Sequence, residues 1–290
     1  MFIIGIKKIA MIMKTFSIFC FCFVMVSMAQ AQTSDNKLGY FNLEQDLLIA
    51  NYDSKPDVDD LMSVAAFATM LRDVRFQHLN YIAVAGAYGM QGGNFIQSDH
   101  LFDLAFGKRW LNAHEKREEA IREIFIIAKA VIENGGDIWI AEAGQSDVSA
   151  ALVRLIREYY LLVRTKDRIH LVQHSFWNES VTTPSDFEFV REYTDYTKIP
   201  DGNGYGNGTP GFKTNDGVWW TKLPEFESIW NIWKEAGRLS DANNIVAGYN
   251  NEAIGLGGFD FSDTAELCWI FGFDRLTGVD DFFQEFLPTH

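Results

Sequence analysis

Short apolar runs alternate with helical patterns along most of the chain. Four of these runs have the length and composition of buried strands: LLIANY (47–52), YIAVAGAYG (81–89), DIWIAEAG (137–144) and RIHLVQHS (168–175). The first run leads into a helical pattern at 59–72, and the third leads into apolar residues at helical spacing from Val148 to Tyr159. This alternation predicts right-handed crossovers and an open, mostly parallel α/β sheet with helices on both faces.

The remaining patterns are less regular. SDHLFDLAF (98–106) is typical of a helix, and NNIVAGY (243–249) is a weaker strand candidate. The long segment 198–217 is rich in Gly and Asn and is predicted to be irregular. Long loops inside compact domains are often functional lids. The sequence has no internal repeat and no linker that would divide these elements, which predicts a single domain.

The first 31 residues have the organisation of a secretory signal peptide. Lys7, Lys8 and Lys14 precede an apolar stretch, and Ala29–Ala31 supplies an A-x-A cleavage site. We therefore expect residues 1–31 to be removed, leaving a secreted or periplasmic domain of residues 32–290 without membrane attachment. The alternative is an uncleaved N-terminal anchor.

The charge of the chain excludes some classes of partner. The formal net charge is −14, and loss of three lysines with the signal peptide would change it to −17. Such a charge argues against binding to nucleic-acid backbones or anionic lipid. Only Cys268 would remain, in an apolar setting, so the sequence predicts a buried thiol and neither an internal disulfide nor a zinc site.

An acidic cluster follows the first predicted strand, in the segment LLIANYDSKPDVDD (47–60). It contains Asp53, Asp57, Asp59 and Asp60. In open parallel sheets, ligands bind beyond the carboxyl ends of the strands, which is where these residues would lie. A helix cap at Asp59–Asp60 or a solvated acidic loop would be simpler explanations. A third explanation is a hard cation such as Ca²⁺, which takes 6–8 oxygen ligands.

Two later turns offer further oxygen ligands at the same edge of the predicted sheet. Ser146 and Asp147 begin the helix after the third strand, and Asp260 and Asp263 precede an apolar helical run. Each pair alone is an ordinary helix N-terminus. Together with the first cluster, they predict a metal site built from three strand-to-helix turns.

In this order, the three segments resemble the nucleoside hydrolase superfamily. The family's opening motif is similar to D-x-D-x-G-x-D-D, with Asp53 at its second Asp and Asp59–Asp60 as its closing pair. AGQSDVSAAL resembles the family's Gly-x-x-Thr-Asn-Leu-Ala turn, with Asp147 at the Thr position. FSDTAELCWIF resembles its late His-Asp helix start, with Asp263 as the Asp.

The chain also departs from the family pattern. Asn51 stands where the first Asp is usual, and Ser262 replaces a His found in many members. The loop between Asp53 and Asp59 is longer than the common form. It is similar to the loop of a secreted nucleoside-hydrolase-like group whose members are labelled as cellulose- or sugar-binding. The family's Glu-x-Asn ribose motif has no clear counterpart, and the candidates to replace it are Asn178, Glu179, Asn203 and Asn207. Asn94 is the candidate for a further substrate-binding Asn of the family.

The resemblance implies a role for each matching residue. Ca²⁺ would be held by the carboxylates of Asp53, Asp60 and Asp263 and by the backbone carbonyl of Asp147, with Asp53 also serving as general base. Asp59 would accept hydrogen bonds from sugar hydroxyls. His174, at the end of the fourth predicted strand, is the candidate acid; the alternative is a histidine that only satisfies nearby backbone groups.

Three functions follow from these observations. The first is a calcium-dependent hydrolase of N-glycosidic bonds in nucleosides or related ribosides, with a small-molecule riboside or sugar as its partner. The second is a secreted sugar-binding protein that is not catalytic or that acts on O-glycosides. The third, an aspartyl-phosphate phosphatase, ranks low because Asn51-Tyr52-Asp53 lacks the first carboxylate of an Asp-x-Asp motif. A homo-oligomer is compatible with each function.

Overall fold

A parallel sheet forms the centre of the fold in the computed structural model, which describes residues 36–204 and 206–287. The predicted signal peptide lies outside these residues. The described residues from Leu38 onwards form one compact unit, to which the fold below belongs. Its six-stranded sheet has the order β3-β2-β1-β4-β5-β6, where the strands are β1 (Leu47–Tyr52), β2 (Tyr81–Ala85), β3 (Trp110–Asn112), β4 (Ile138–Ala143), β5 (Ile169–Gln173) and β6 (Asp195–Lys198).

Helices follow most of these strands. They are α1 (Asp59–Met70), α2 (Asp99–Phe106), α3 (Ala113–Glu133), α4 (Asp147–Tyr159), α5 (Phe176–Val181), α6 (Pro184–Tyr193), α7 (Glu227–Asn243), α8 (Glu252–Gly255), α9 (Ala265–Ile270) and α10 (Val279–Phe286). Two short strands, β7 (Lys213–Thr214) and β8 (Phe259–Asp260), pair antiparallel outside the main sheet. Two further two-residue strands precede β1, at Lys37–Leu38 and Phe41–Asn42. Short 3₁₀ turns lie at Val74–Phe76, Thr165–Asp167, Val218–Thr221, Leu223–Glu225 and Ser262–Thr264.

The central strand is buried on both of its faces. Every residue of β1 is buried, and its side chains alternate between two hydrophobic clusters. Leu48, Ala50 and Tyr52 pack with residues of α1, α2 and α7, whereas Leu47 and Ile49 pack with residues of α3 and α4. A continuous apolar run is what a strand of a covered parallel sheet requires. The predicted open, mostly parallel α/β fold with helices on both faces is therefore confirmed.

Some elements differ from the sequence prediction. The strand predicted at 243–249 is wrong, because α7 extends to Asn243 and a turn follows. In that turn, Ile245 has a left-handed backbone with φ of 71°. The N–H group of Ala247 also donates to the carbonyl of Asn243, which removes it from any ladder. The pattern also missed β3 and β6, both short edge strands without a fully buried apolar run.

The strand order places a crevice between the ends of β1 and β4. From β1 the chain builds the sheet on one side through β2 and β3, and then on the other side from β4 onwards. Ligands in such sheets bind beyond the carboxyl ends of the strands where the direction reverses. Gly144, directly after β4, approaches so closely that a Cβ atom there would lie 2.5 Å from the carbonyl oxygen of Ala87 and 2.9 Å from the Cβ of Asp53.

A buried polar network links β1, β4 and α4 below this crevice. The Nδ2 atom of Asn51 donates to Glu142 Oε1 at 2.8 Å and contacts Ser149 Oγ at 3.0 Å, and the Ser149 hydroxyl donates to Glu142 Oε2. Burial raises the pKa of the Glu142 carboxyl to about 8, although both hydrogen bonds oppose that rise. Glu142 therefore keeps its proton in the folded protein at neutral pH.

This retained proton predicts how stability depends on pH. Between the ordinary pKa of 4.5 and the folded pKa of about 8, only the unfolded chain loses the proton of Glu142. Its contribution to the free energy of unfolding should be complete below this window and fall by about 1.4 kcal/mol per pH unit within it. Glu142→Gln cannot ionise and should lose this slope. Urea unfolding of both proteins from pH 5 to pH 8 measures the difference.

Glu158→Gln provides a control for the loss of a carboxylate, because Glu158 is exposed on α4, the helix that carries Ser149. Parallel stability curves for the native protein and Glu142→Gln would mean that Glu142 is ionised in the fold.

No helix in the described part of the chain is long and apolar enough to span a bilayer.

Candidate functional site

The turn after β1 folds back onto the first turn of α1. The backbone N–H of Lys55 donates to Asp53 Oδ1 at 2.9 Å, and the N–H of Ser54 donates to Asp60 Oδ2. Ser54 has a left-handed backbone with φ of 56°, which is uncommon for a residue with a side chain. This tight turn brings Asp53 and Asp60, one from each end of the loop, to the same place.

Three carboxylates meet at the carboxyl end of β1. Oxygen atoms of Asp59, Asp60 and Asp263 all lie within 4.8 Å of one another. Burial raises the pKa of each of these groups well above its ordinary value, and the charges of the neighbouring acids raise it further. Like charges this close are stable only if some are protonated or a cation lies between them.

Asp60 shows best what such a cation would contact. Its side chain is only 1% exposed, and its Oδ1 atom has no hydrogen-bond partner among the described residues. Buried carboxylate oxygens are normally paired, so an unpartnered one calls for an explanation. An all-oxygen donor set of clustered carboxylates fits a hard cation such as Ca²⁺.

Asp53 lies beside this cluster and is held by amide groups. Its Oδ2 atom accepts hydrogen bonds from Gln145 Nε2 at 2.7 Å and from Gln91 Nε2 at 2.9 Å. Burial raises the pKa of Asp53 to about 6, although the hydrogen bonds it accepts lower it. Asp53 is also the neighbouring charge that contributes most to the raised pKa of Asp60. The hydrogen bonds therefore fix the orientation of the Asp53 carboxylate, and its pKa lies close to neutral pH.

His174, at the carboxyl end of β5, faces the carboxylates. Both its backbone N–H and its ring Nδ1 contact Glu266 Oε1, at 2.9 Å and 2.6 Å, and Glu266 is fully buried. Its Nε2 lies 4.0 Å from oxygens of Asp201 and Asp263. Burial lowers the pKa of the imidazole, but Glu266 and these acids raise it to about 9. His174 is therefore a cation at neutral pH.

These groups surround one cavity of about 450 Å³. That volume lies within the range of small-molecule sites. The polar groups of the wall come from the turns after β1, β2 and β5, from the irregular segment 198–217, and from Tyr249 and Asp263. The cavity is lined by Asp53, Lys55, Pro56, Asp57, Asp59, Gln91, Ala143, His174, Ser175, Trp177, Asn178, Asp201, Asn203, Lys213, Tyr249 and Asp263.

Most of the residues predicted from the sequence meet at this cavity. Asp53, Asp59, Asp263, His174, Asn178 and Asn203 line it, and Asp60 belongs to the carboxylate cluster beneath it. Asn178 Oδ1 lies 3.4 Å from Gln145 Nε2, and Asn203 Oδ1 lies 3.3 Å from Lys213 Nζ. The long segment 198–217 thus contributes directly to the wall, through Asp201 and Asn203.

Other predicted residues lie elsewhere. Asn94 is exposed and donates to the carbonyl of Val246 at 3.1 Å, and it is not among the lining residues. Glu179 lines a different depression, where it pairs with Lys198. The Asp147 carboxylate accepts the N–H of Thr183 at 3.1 Å and lies apart from the cluster. Calcium binding by the Asp147 carbonyl stays a prediction.

Sequence reasoning missed Gln91, Gln145, Glu266 and Lys213. Gln145 lies inside the turn that the family resemblance had already marked, and Gln91 lies in the same turn as Asn94.

Asp260 is fully buried, as a ligand could be, but its Oδ2 atom pairs with Lys213 Nζ at 2.8 Å and with Asn251 Nδ2 at 2.8 Å. Asp260 therefore pairs with Lys213, which lines the cavity.

No protein-family model, curated protein or solved structure matches this chain. The assignment of a function therefore rests on the chemistry of the cavity.

Proposed function

We propose that this protein is an exported, Ca²⁺-dependent hydrolase of N-glycosidic bonds in nucleosides or related ribosides, similar to the nucleoside hydrolases. The observation that carries the proposal is the cluster of Asp59, Asp60 and Asp263 beside a cavity that Asp53 and His174 line, with the Nδ1 atom of His174 held by buried Glu266. A clustered set of acids supports cation binding, and a fixed base opposite an acid supports hydrolysis.

The cluster supplies the metal site in this proposal. Asp60 and Asp263 are the buried ligands, Asp53 completes the set beside Asp60, and half-buried Asp59 is a member of the cluster that also lines the cavity. When bound, Ca²⁺ would offset the repulsion between these carboxylates and favour the deprotonation of a neighbouring water. Asp59, which lines the cavity, would accept hydrogen bonds from sugar hydroxyls.

Two residues would move the protons. Asp53 takes the proton from water as the water oxygen bonds to the anomeric carbon and the carbon–nitrogen bond breaks. His174 gives its proton to the leaving nitrogen, because Glu266 holds Nδ1 and leaves Nε2 towards the cavity. The surrounding carboxylates would stabilise the positive charge that develops on the sugar ring.

One observation favours a second candidate, a secreted protein that binds sugars without catalysis or acts on O-glycosides. Both Asp53 oxygens already accept N–H groups, from Lys55 on one side and from Gln91 and Gln145 on the other. Hydrogen bonds to a carboxylate make it a weaker base. The sugar-binding candidate requires the same metal and sugar contacts but no proton transfer.

Calorimetric titration of the chelator-treated protein tests the proposal. We expect stoichiometric binding of Ca²⁺ that is tighter than binding of Mg²⁺, because Mg²⁺ demands a smaller octahedral site and keeps its waters. Ribose and a set of nucleosides are then added, and release of free ribose is measured. Calcium-dependent release supports the hydrolase, whereas binding heat without release supports the sugar-binding protein. Absence of Ca²⁺ binding contradicts both.

A further inference from the structure

Gln91 stands between the mouth of the cavity and the proposed base. Its side chain is only 5% exposed. The Nε2 group donates to Asp53 Oδ2 at 2.9 Å and to the carbonyl of Lys55. The Oε1 atom accepts from Trp177 Nε1 at 2.7 Å and from Gln145 Nε2 at 3.1 Å. Both donors and both lone pairs of the amide are therefore used.

These four contacts fix the direction of the amide. A reversed Gln91 would place its carbonyl oxygen against the Asp53 carboxylate and the Lys55 carbonyl. It would also place its NH₂ group against the indole N–H of Trp177. Each of these contacts would set like groups against each other, so the partners leave only one orientation. The Gln91 amide thus connects the Trp177 indole directly to Asp53 Oδ2.

Trp177 is placed to sense what occupies the cavity. It lines the cavity, and 59% of it is exposed even though its indole N–H is committed to Gln91. Its position on α5 is supported at the backbone, where its N–H donates to Ser175 Oγ at 3.0 Å. A substrate that packs on the exposed ring would hold the indole in place, and with it the hydrogen bond to Gln91.

We propose that Gln91 is a positioning residue that couples Trp177 to the orientation of the Asp53 carboxylate, so that a substrate seated on the indole fixes the base. The inference rests on the proposed function, because it gives that carboxylate its catalytic role. It differs from a purely structural brace, which would affect folding or substrate affinity but would not link the two side chains during turnover.

A double-mutant cycle with Gln91→Met and Trp177→Phe tests the coupling. Loss of such supporting contacts typically costs 10–100-fold in activity, so each single variant should lower kcat by about tenfold. KM should change by less than about threefold, and the double variant should be no slower than the slower single variant. Trp110→Phe is the matched control, because it loses an indole bond to Asp103 Oδ1 away from the cavity.

Multiplying effects in the double variant, or single variants within twofold of the native kcat, would overturn the inference. If Gln91→Met fails to fold, Gln91→Ala takes its place in the cycle.

A spectroscopic measurement tests the coupling without turnover. The chain has eight tryptophans, and Trp177→Phe identifies the Trp177 indole N–H signal in a ¹H–¹⁵N spectrum. Asp53→Asn should shift this signal in the native background and leave it unmoved in the Gln91 variant. An equal shift in both backgrounds would overturn the inference. Because this result does not depend on hydrolysis, failure of the proposed function and failure of the coupling are distinguishable.

Discussion

Asp60→Ala is expected to weaken Ca²⁺ binding by more than about 100-fold, beyond the loss caused by removing a supporting contact alone. Asp60 is the most deeply buried member of the carboxylate cluster, and its Oδ1 atom has no other partner among the described residues. Its other oxygen accepts the N–H of Ser54. Without Asp60, the turn after β1 and the cluster lose the group that joins them. Calorimetric titration of the chelator-treated variant measures the effect.

Asp57→Ala is the matched control for Asp60→Ala. Asp57 belongs to the same turn and lines the cavity, but it accepts hydrogen bonds from Asn251 and from the N–H of Val58 and lies outside the carboxylate cluster. We expect this variant to bind Ca²⁺ within a fewfold of the native affinity. Stoichiometric Ca²⁺ binding by Asp60→Ala would show that the site has been assigned to the wrong residues.

The stability of metal-free Asp60→Ala separates a lost ligand from a damaged fold. Removing a buried acid relieves desolvation and repulsion from Asp53, which favours the folded state. It also leaves the N–H of Ser54 without its acceptor, at a cost of about 1–3 kcal/mol. We therefore expect the unfolding free energy in chelator to change by no more than about 3 kcal/mol. A variant that still folds but does not bind Ca²⁺ has lost a ligand.

The half of the site that is local in sequence could be predicted from the sequence. Asp53, Asp59 and Asp60 lie in one short turn at the end of an apolar run. The rule that parallel strands end at the same edge was enough to bring His174 towards them, whereas Asp263 follows β8, in the antiparallel pair outside that sheet. The structure brings these residues together, and each of them follows a strand or begins a helix, a boundary that leaves a clear mark in the sequence.

The rest of the site depends on contacts that leave no such mark. Gln91 and Gln145 reach Asp53 across 38 and 92 residues, and Glu266 reaches His174 across 92 residues. Glutamine side chains in loops have no periodicity and no typical partner. The sequence offered Asn94, in the glycine-rich turn after β2, as a candidate, but Asn94 donates to the carbonyl of Val246, and it is Gln91 of the same turn that donates to Asp53. Only the path of the backbone decides between them.

Edge strands and turns were the weak part of the fold prediction for a related reason. The apolar signal is strongest where both faces are covered, as in β1 and β4, whose residues are all buried. At the sheet edges, β3 and β6 carry half-buried or exposed side chains, and their identity as strands comes from pairing with β2 and β5. Pairing of this kind is a tertiary interaction that composition does not encode.

Asp53→Asn is expected to lower kcat by about 10²–10⁴-fold on any riboside that the native protein hydrolyses, the range of a general base. The side chain keeps its size but can no longer take a proton. Measurement at saturating Ca²⁺, with occupancy checked by calorimetry, excludes metal loss as the cause. Asp57→Asn, another acid on the same cavity wall, is the control and should change kcat by less than tenfold.

The hydrogen bonds around Asp53 make this experiment decide between the two candidate functions. Apart from Asp60, the partners of its carboxylate are N–H donors, from Lys55, Gln91 and Gln145. An asparagine must turn its own NH₂ group towards at least one of them, which costs about 1–3 kcal/mol of stability. In a sugar-binding protein, that cost would appear in unfolding and sugar affinity alone. In a hydrolase, kcat also falls, because an amide cannot accept the proton of water. Unchanged turnover would remove Asp53 as the base.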